Sequence, residues 1–300
     1  MIALVALLLI VCIALPLSFA WRLWRLDEPT LLGWSIVVAE ASLFVTLIML
    51  LGRWDVAGMW TRTALIALLV IAAIVSLFRH VHRPWREVDG PPIWRHRGVT
   101  LASLVVYGSA LVYVLTGIVS RHDPRPFAFP LEGGWFVVAQ GGGVSLLNYH
   151  STHRAQRYAL DITGVNSVGF RASTLLPADP ARYAIFGKTV ISPCTGSVVS
   201  AVDGLPDQSP PTSDRKNPAG NNVVLTCNDV QIELAHLRKG SVAVKTGDQV
   251  LTGQRLGQVG NSGNSTEPHL HVHAVDPKSG AGVQISFDGV VPVRGTDFRR

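Results

Sequence analysis

Long apolar runs dominate the first 120 residues of the chain, and short interrupted runs dominate the rest. Apolar segments at residues 2–20, 31–51, 63–78 and 99–120 each approach the ~20 residues that a helix needs to cross about 30 Å of hydrocarbon. The pattern therefore predicts an all-α region of four transmembrane helices over residues 1–120.

Beyond residue 120, glycine, proline, asparagine and aspartate separate short runs of β-branched and aromatic residues, which is typical of strands and turns. No later stretch is long and apolar enough to span a membrane. We expect residues 121–133, which begin with a proline-containing stretch, to form a linker. We expect residues 134–300 to form an all-β domain.

Basic side chains predict the orientation of the helices. The loop between the third and fourth segments carries more arginines than any other loop, and basic loops remain in the cytoplasm. With four spans, the protein is a multi-pass protein of the cell membrane, and its C-terminal domain lies outside the cytoplasm, in the periplasm or on the cell-wall side. The first segment could instead be a cleaved signal peptide, but it lacks a basic start and is longer than the usual apolar core of one.

Composition agrees with a membrane protein and limits the partners. Hydrophobic residues make up 48% of the chain and charged residues only 15%, and the mean hydropathy is +0.32. The net charge of +6 is divided equally between the two parts, which is too mild for a nucleic-acid-binding surface. We therefore expect a lipid bilayer, and no nucleic acid, among the partners.

Glu40 lies inside the second apolar segment, where a carboxylate is costly. The sequence offers no second intramembrane charge to pair with it, so we expect a protonated or hydrogen-bonded packing residue. Cys194 and Cys227 lie in the C-terminal part. In an oxidising compartment they can form a disulfide, and otherwise they are two small buried thiols.

Six of the ten histidines lie in three clusters: His150 and His153 upstream of Asp161, His236 in Ala-His-Leu, and His269, His271 and His273 on one predicted strand. Residues two apart on a strand share a face, so imidazoles at this spacing can converge on one ion. Neutral imidazoles suit zinc, and a catalytic zinc site uses about three protein ligands and leaves one position open.

The order of these motifs resembles the lysostaphin and LytM type of zinc metallopeptidase, which cuts peptide bonds in peptidoglycan. The shared features are His followed by Asp, then Ala-His-Leu, then Gly-Asp-x-Val-x-x-Gly-Gln-x-x-Gly-x-Val-Gly-Asn-Ser-Gly, and finally Pro-His-Leu-His. The resemblance covers about residues 134–292. It implies a lysostaphin-like barrel-sandwich fold, a Zn²⁺ cofactor and peptidoglycan peptides as substrate.

By the same resemblance, His271 and Asp161 are zinc ligands, whereas His236 and His269 are catalytic histidines. His273 stands where relatives often have glutamate, which makes it either a partner of a ligand or an extra polar residue. The Gly-Asn-Ser-Gly sequence before this strand predicts a tight turn that presents the histidines.

The remaining zinc ligand is His150 or His153. The family usually has His-x-x-x-Asp, whereas here His153 precedes Asp161 by eight residues and His150 by eleven. An even offset keeps the strand face and favours His153. An intervening turn would erase that parity, however, and the sequence Asn-x-His followed by Gln-Arg-Tyr-Ala-x-Asp matches a subset of the family with His150 as the ligand. We favour His150 and keep His153 as the alternative.

These features predict a membrane-tethered zinc endopeptidase that hydrolyses the peptide cross-links of bacterial peptidoglycan with a metal-activated water. The alternative is a noncatalytic cell-wall-binding or regulatory module on the same fold. The sequence leaves open whether a D-alanyl cross-link or a polyglycine bridge is cut, and it makes no prediction of oligomeric state.

Overall fold

The computed structural model describes residues 2–87, 94–119 and 123–300. The chain forms two compact units, Ile2–Leu115 and Thr116–Arg300. Ser120, Arg121 and His122, where we expected the last span to end and the linker to begin, lie outside the described residues.

The helices follow the apolar segments. They are α1 (Ile2–Leu9), which continues through a π-helical turn (Ile10–Ala14) into α2 (Leu15–Trp24), then α3 (Leu31–Leu51), the short α4 (Trp54–Ala57), α5 (Met59–His80) and α6 (Trp94–Ile118). Within the described residues, four helices are long and apolar enough to cross a membrane: Val5–Trp24, Leu31–Leu51, Met59–His80 and Trp94–Ile118. The predicted all-α N-terminal region is therefore confirmed.

Local sequence explains how the helices begin and deform. Pro16 lacks a backbone N–H and its ring crowds the carbonyl four residues earlier, so the wider π-helical turn before it accommodates the proline without ending the helix. Thr30 caps α3, because its hydroxyl oxygen accepts a hydrogen bond from the Gly33 N–H at 3.1 Å.

Glu40 has a charged partner, which corrects the expectation of a packing residue with no intramembrane charge beside it. Nη1 of Arg22 lies 2.6 Å from Oε2 of the buried Glu40. Arg22 lies in the last turn of α2, and its long side chain reaches the carboxylate on α3. A second buried carboxylate, Glu28, pairs with Arg97. This pairing lowers the cost of placing charge inside an otherwise apolar helical unit.

The second unit is built almost entirely of strands, which confirms the predicted all-β C-terminal part. The strands are β1 (Arg125–Phe127), β2 (Trp135–Gln140), β3 (Leu160–Val165), β4 (Thr189–Ile191), β5 (Gly196–Val202), β6 (Asn221–Cys227), β7 (Val230–Leu237), β8 (Gln249–Val250), β9 (Arg255–Gln258), β10 (Leu270–Asp276), β11 (Ala281–Val283), β12 (Ile285–Phe287) and β13 (Asp297–Arg299).

One large antiparallel sheet organises this unit. Its strand order is β13-β2-β3-β10-β7-β6-β5-β8, and β11 pairs with the far end of β10. A small sheet of β4 and β9 contributes Val190 and Leu256 to the same core as Leu225, Ile232 and Val272 of the large sheet. The core thus lies on one face of the central strands, and their other face is available for polar side chains.

Part of the segment expected to be a linker packs into the strand unit. β1 pairs in parallel with β12, and Phe129 and Leu131 are buried in the core. The ring of Phe129 lies 5.7 Å from that of Phe136 and 4.3 Å from that of Phe298, centroid to centroid. Aromatic burial explains why this proline-containing segment is ordered.

Cys194 and Cys227 form a disulfide, with their Cα atoms 6.1 Å apart. Cys227 ends β6, and Cys194 lies just before β5, its neighbour in the sheet. The bond closes a segment of 33 residues that contains the proline-rich stretch before β6. Disulfides persist in oxidising compartments and are rare in the cytoplasm.

Breaking this bond is expected to destabilise the strand unit. By chain entropy, a disulfide across 33 residues contributes about 3 to 4 kcal/mol. We expect Cys194→Ser to lower the melting temperature of this unit by roughly 10 °C in the purified full chain. Cys12→Ser is the control, because Cys12 lies in the helical unit. Equal melting of the Cys194→Ser and Cys12→Ser proteins would show that the bond adds no stability.

Candidate metal and catalytic site

The polar face of the central strands brings Asp161 and His271 together. In the ladder between β3 and β10 these two residues are direct partners, and direct partners in an antiparallel ladder share a face. Their neighbours Leu270 and Val272 enter the core, so alternation turns Asp161 and His271 to the opposite face. Nδ1 of His271 lies 2.9 Å from Oδ1 of Asp161.

A one-turn 3₁₀ helix, Tyr149–Thr152, carries His150 to the same place. Asn148 begins the turn, because its Oδ1 accepts a hydrogen bond from the His150 N–H at 3.0 Å. The Asn148 amide also donates to the Gly142 and Ala159 carbonyls at 3.1 and 3.0 Å, which fixes the loop against the sheet. As a result, Nε2 of His150 lies 3.2 Å from Oδ1 of Asp161.

His153 lies outside this cluster. It follows the one-turn helix as an exposed residue, and its backbone N–H donates to the His150 carbonyl at 2.8 Å. The structure therefore groups His150, rather than His153, with Asp161 and His271. The turn between His153 and Asp161 removes the strand parity that would have favoured His153.

The grouped atoms suit a divalent cation. One ligand atom each from His150, Asp161 and His271 lie within 4.8 Å of one another, and all three residues are buried. On the other side of the ring, Nε2 of His271 lies 3.2 Å from Nδ1 of His273, where either nitrogen can be the donor. If the Nε2–H of His271 donates to His273, the Nδ1 lone pair of His271 points at a carboxylate oxygen of Asp161. A cation between these two electron-rich atoms stabilises that arrangement. Two imidazoles and a carboxylate are a donor set that zinc prefers.

Asp161 is a carboxylate in this setting. Burial alone would raise its pKa, but the neighbouring His269, His150 and His271 imidazoles hold the pKa well below its usual range in the metal-free protein. Tyr149 adds a further contact, since its hydroxyl donates to Oδ2 of Asp161 at 3.1 Å. Sequence reasoning did not find Tyr149, although its position directly before His150 placed it at the site.

His236 reaches the site through a bulge in β7. Opposite it on β6 the pairing shifts between Asn221 and Val223, so β7 carries one extra residue there. His236 takes a left-handed backbone conformation, with φ 63°, which a non-glycine residue rarely adopts. Nδ1–H of His236 donates to the Ser262 carbonyl at 2.9 Å. This bond leaves Nε2 with its lone pair free.

His269 is oriented in the same way. Its Nδ1–H donates to the Glu267 carbonyl at 2.8 Å, and its Nε2 lies 3.6 Å from Oδ1 of Asp161. The Glu267 side chain is held in turn by Arg171, through two bonds of 2.9 and 2.6 Å. The rings of His236 and His269 lie 4.7 Å apart, centroid to centroid. Two imidazoles whose Nδ1 atoms are bonded to carbonyls therefore stand beside the candidate metal ligands.

The turn before β10 fixes both of these histidines. Asn261 and Ser262 are fully buried, and the Ser262 hydroxyl donates to the Leu237 carbonyl at 2.7 Å. The same residue accepts the His236 bond through its backbone carbonyl. The turn was predicted to present the histidine strand, and the structure shows that it also orients His236.

Burial keeps the imidazoles of His236 and His273 neutral. It lowers the pKa of His236 well below the usual range, with help from the charges of His269 and His271. It lowers the pKa of His273 to about 3, again aided by His271 and also by His150. A neutral His273 can accept the Nε2–H of His271, which would leave Nδ1 of His271 as the ligand atom.

His273 is therefore expected to make the metal-free protein sensitive to acid. In the unfolded chain it takes up a proton near pH 6.5, whereas in the fold it does so only near pH 3. Its contribution to stability is present above pH 6.5 and is lost as the pH falls, by about 2 kcal/mol between pH 7 and pH 5. Between pH 7 and pH 5, we expect the unfolding free energy of the His273→Gln protein to fall by about 2 kcal/mol less than that of the unsubstituted protein. The measurement is chemical denaturation at both pH values. An equal fall in both proteins would show that His273 titrates normally.

Part of this site lies in a region that matches a known peptidase family. The model of peptidase family M23 matches residues 182–285, which include His236, His269 and His271. The peptidoglycan DD-endopeptidase ShyA of Vibrio cholerae serotype O1 is 34% identical over 131 residues, which are 43% of this chain and 29% of ShyA. The chain thus matches less than a third of the length of that relative.

Two solved structures are also similar. The catalytic domain of lysostaphin from Staphylococcus simulans is 28% identical, with 34% of this chain and 63% of that chain covered and a TM-score of 0.24. A putative peptidase M23 from Pseudomonas aeruginosa is 18% identical, with 64% of this chain and 60% of that chain covered and a TM-score of 0.30. A peptidase family M23 domain is therefore present at residues 182–285, inside the region of about residues 134–292 where the sequence motifs predicted it.

Proposed function

We propose that this protein is a membrane-tethered, zinc-dependent endopeptidase that hydrolyses peptide cross-links of bacterial peptidoglycan. The observation that carries the proposal is that the buried group of His150, Asp161 and His271 lies next to two imidazoles, His236 and His269, which are oriented through their Nδ1 atoms. The M23 domain and the similarity to a peptidoglycan endopeptidase support the reaction class and the substrate.

His150, Asp161 and His271 would hold the zinc ion. When bound, zinc supplies Lewis acidity, which activates water for attack and polarises the scissile carbonyl. Asp161 is already ionised in this site, and each imidazole offers one nitrogen toward the centre of the group. The ligands are therefore preorganised, because their side chains are held by the sheet and the capped one-turn helix.

His269 is suited to receive a proton from the attacking water. Its Nε2 faces the site, and the carboxylate of Asp161, 3.6 Å away, stabilises the imidazolium that forms. The Glu267 carbonyl holds its ring in place through Nδ1–H throughout. The same imidazolium can then protonate the leaving amine, which regenerates the neutral ring.

His236 has a different role in this proposal. Burial and the neighbouring histidines keep it neutral, so its Nε2 accepts a hydrogen bond instead of a proton. It orients the attacking water beside His269, and the bond from its Nδ1–H to Ser262 fixes the direction of the lone pair.

The strand unit is proposed to act on the outer side of the membrane. Four helices long enough to span a bilayer precede it, and the basic loop between the third and fourth favours a cytoplasmic position for that loop. The Cys194–Cys227 disulfide supports an oxidising compartment. Tethering would keep the enzyme close to the wall layer that borders the membrane.

The experiment that tests the function uses the full chain in lipid nanodiscs. Zinc content is measured together with the release of new amino groups from purified peptidoglycan. We expect about one zinc per chain and cleavage that a chelator abolishes and zinc restores. Zinc without cleavage of any cross-linked peptide would identify a binding module, and a lack of zinc would contradict the proposal itself.

Single substitutions are expected to decide the third ligand. His150→Ala removes a buried nitrogen 3.2 Å from Asp161, so it should reduce zinc occupancy severely and abolish cleavage. His153→Ala alters an exposed residue and should leave both within about twofold of the starting protein. Zinc content and cleavage are measured for both proteins. Loss at His153 with retention at His150 would reverse the assignment.

A further inference from the structure

A cavity of about 450 Å³ lies next to the one-turn helix that carries His150, and no step of the proposed reaction uses it. It is lined by Ser151 and Thr152 of the one-turn helix, by Arg154, Arg157 and Tyr158 of the loop that follows, and by the first two residues of β11. The helix that carries His150 thus forms one wall of this cavity.

The strand register places the cavity on the same face of the sheet as the metal ligands. Gly282 of β11 is the direct partner of Val275 on β10, and Val275 has the same parity as His271. A Cβ atom built on Gly282 would lie only 2.7 Å from the carbonyl oxygen of Ala155. The loop therefore lies directly over β11 on the face that carries His271.

Main-chain and side-chain bonds hold this loop to the hairpin. The Gly282 N–H donates to the Arg154 carbonyl at 2.9 Å, and Nη2 of Arg154 donates to the Ser279 carbonyl at 3.0 Å. The absence of a side chain at Gly282 allows the close approach. The cavity is consequently a fixed part of the fold.

The cavity carries positive charge without a matching acid. Neither Arg154 nor Arg157 forms an ion pair with any carboxylate in the part of the chain that the structure describes. Arg154 donates one hydrogen bond to the Ser279 carbonyl, and the Arg157 guanidinium lies 5.8 Å from the centroid of the Tyr158 ring. Both guanidinium groups retain donors, and their planar geometry matches a carboxylate.

The separation between cavity and metal site suits an extended peptide. Val275 lies four positions after His271 on β10, which corresponds to about 13 Å along the strand. An extended peptide covers that distance in roughly four residues. One extended peptide can therefore reach both the metal site and the cavity.

We propose that this cavity binds a carboxylate of the cross-linked peptide, and that Arg154 and Arg157 determine substrate specificity by recognising it. The inference rests on the proposed function and names its substrate class: cross-links between stem peptides that carry free carboxylates, as diaminopimelate does. Polyglycine bridges carry no side-chain carboxylate, so they would leave both arginines without a partner.

The test measures binding and hydrolysis separately with the full chain in nanodiscs. The binding probe is a diaminopimelate-containing tetrapeptide without a cross-link, prepared with its carboxylates free or converted to primary amides. We expect amidation to weaken binding to the starting protein at least about tenfold, the effect of losing a charge-assisted hydrogen bond. The Arg154→Gln, Arg157→Gln double variant should bind both forms equally weakly.

Hydrolysis of a cross-linked diaminopimelate peptide should show that Arg154 and Arg157 contribute to substrate binding. In the double variant we expect KM to rise about tenfold and kcat to stay within about twofold, because the catalytic histidines are untouched. Lys245→Gln with Arg255→Gln is the control, since it removes the same charge from exposed positions, one of them on the β4–β9 sheet. A loss of the same size in the control would assign the effect to net charge and overturn the proposal.

The binding and hydrolysis measurements distinguish failure of the specificity proposal from failure of the proposed peptidase function. Cleavage without discrimination between free and amidated carboxylates would overturn the specificity proposal and leave the peptidase function standing. Arginine-dependent binding of the acidic peptide without any cleavage would support the cavity and overturn the proposed function. Equal binding of both peptides by the starting protein and the double variant would also overturn the specificity proposal.

Discussion

Replacing His271 with alanine is expected to have the largest effect of any single substitution, a complete loss of zinc and of cleavage. His271 is buried, its Nδ1 lies 2.9 Å from Asp161, and its backbone belongs to the central strand β10. Removing a neighbour that only orients a metal ligand typically lowers metal affinity or activity about 10- to 100-fold. Removing a ligand itself should therefore lower them by more than about 100-fold. Zinc content and peptidoglycan cleavage are the measurements.

The matched control for this substitution is Val275→Ala. Val275 has the same parity on β10 but lies four residues away from the metal group. It should retain zinc and most activity. A His271→Ala protein that still bound one zinc and cut peptidoglycan would place the metal elsewhere.

Replacing His269 with alanine is expected to abolish most of the activity while leaving zinc bound. Its Nε2 faces Asp161, but at 3.6 Å, and it is not among the residues grouped as ligands. General acid and base groups typically contribute about 100- to 10,000-fold to rate, and we expect a loss in that range. The measurement is kcat on a soluble cross-linked peptide, with zinc content determined on the same sample.

His236→Ala separates the two histidines. Because His236 is proposed to orient water and not to transfer a proton, its loss should lower kcat less than the loss of His269 does and should leave zinc bound. If both variants lost zinc, the two residues would be ligands and the division of roles would be wrong.

Much of the candidate site was predictable from the sequence because its parts lie on regular strands. The alternation of His269, His271 and His273 predicts one shared face. Strand β10 begins at Leu270, directly after His269, and shows the alternation for His271 and His273, with Leu270 and Val272 in the core. Short strands and turn residues likewise predicted the β unit, and long apolar runs predicted the helices. These inferences need only local periodicity.

Other features depend on contacts between distant parts of the chain. Arg171 and Glu267 are 96 residues apart, and their pairing determines how the loop before His269 is held. The extra residue in β7 and the left-handed conformation of His236 arise from its pairing with β6 and the buried turn, and no local motif marks them. The pair of Arg22 with Glu40 was missed for the same reason, since it joins two helices.

The choice between His150 and His153 shows where strand parity stops being informative. Parity holds only along a continuous strand, and β3 begins at Leu160, after the turn that separates it from both histidines. The cap formed by Asn148, together with its amide bonds to the Gly142 and Ala159 carbonyls, positions His150 instead. A polar residue two positions before a histidine was thus a better signal than the spacing to Asp161.

The position of the bound metal most directly tests whether His150, Asp161 and His271 bind zinc. Crystals of the full chain grown with zinc would be measured above and below the zinc absorption edge. We predict one anomalous peak in the strand unit, bounded by Nε2 of His150, a carboxylate oxygen of Asp161 and Nδ1 of His271. A peak at other residues, or none at this position despite bound zinc, would contradict the account.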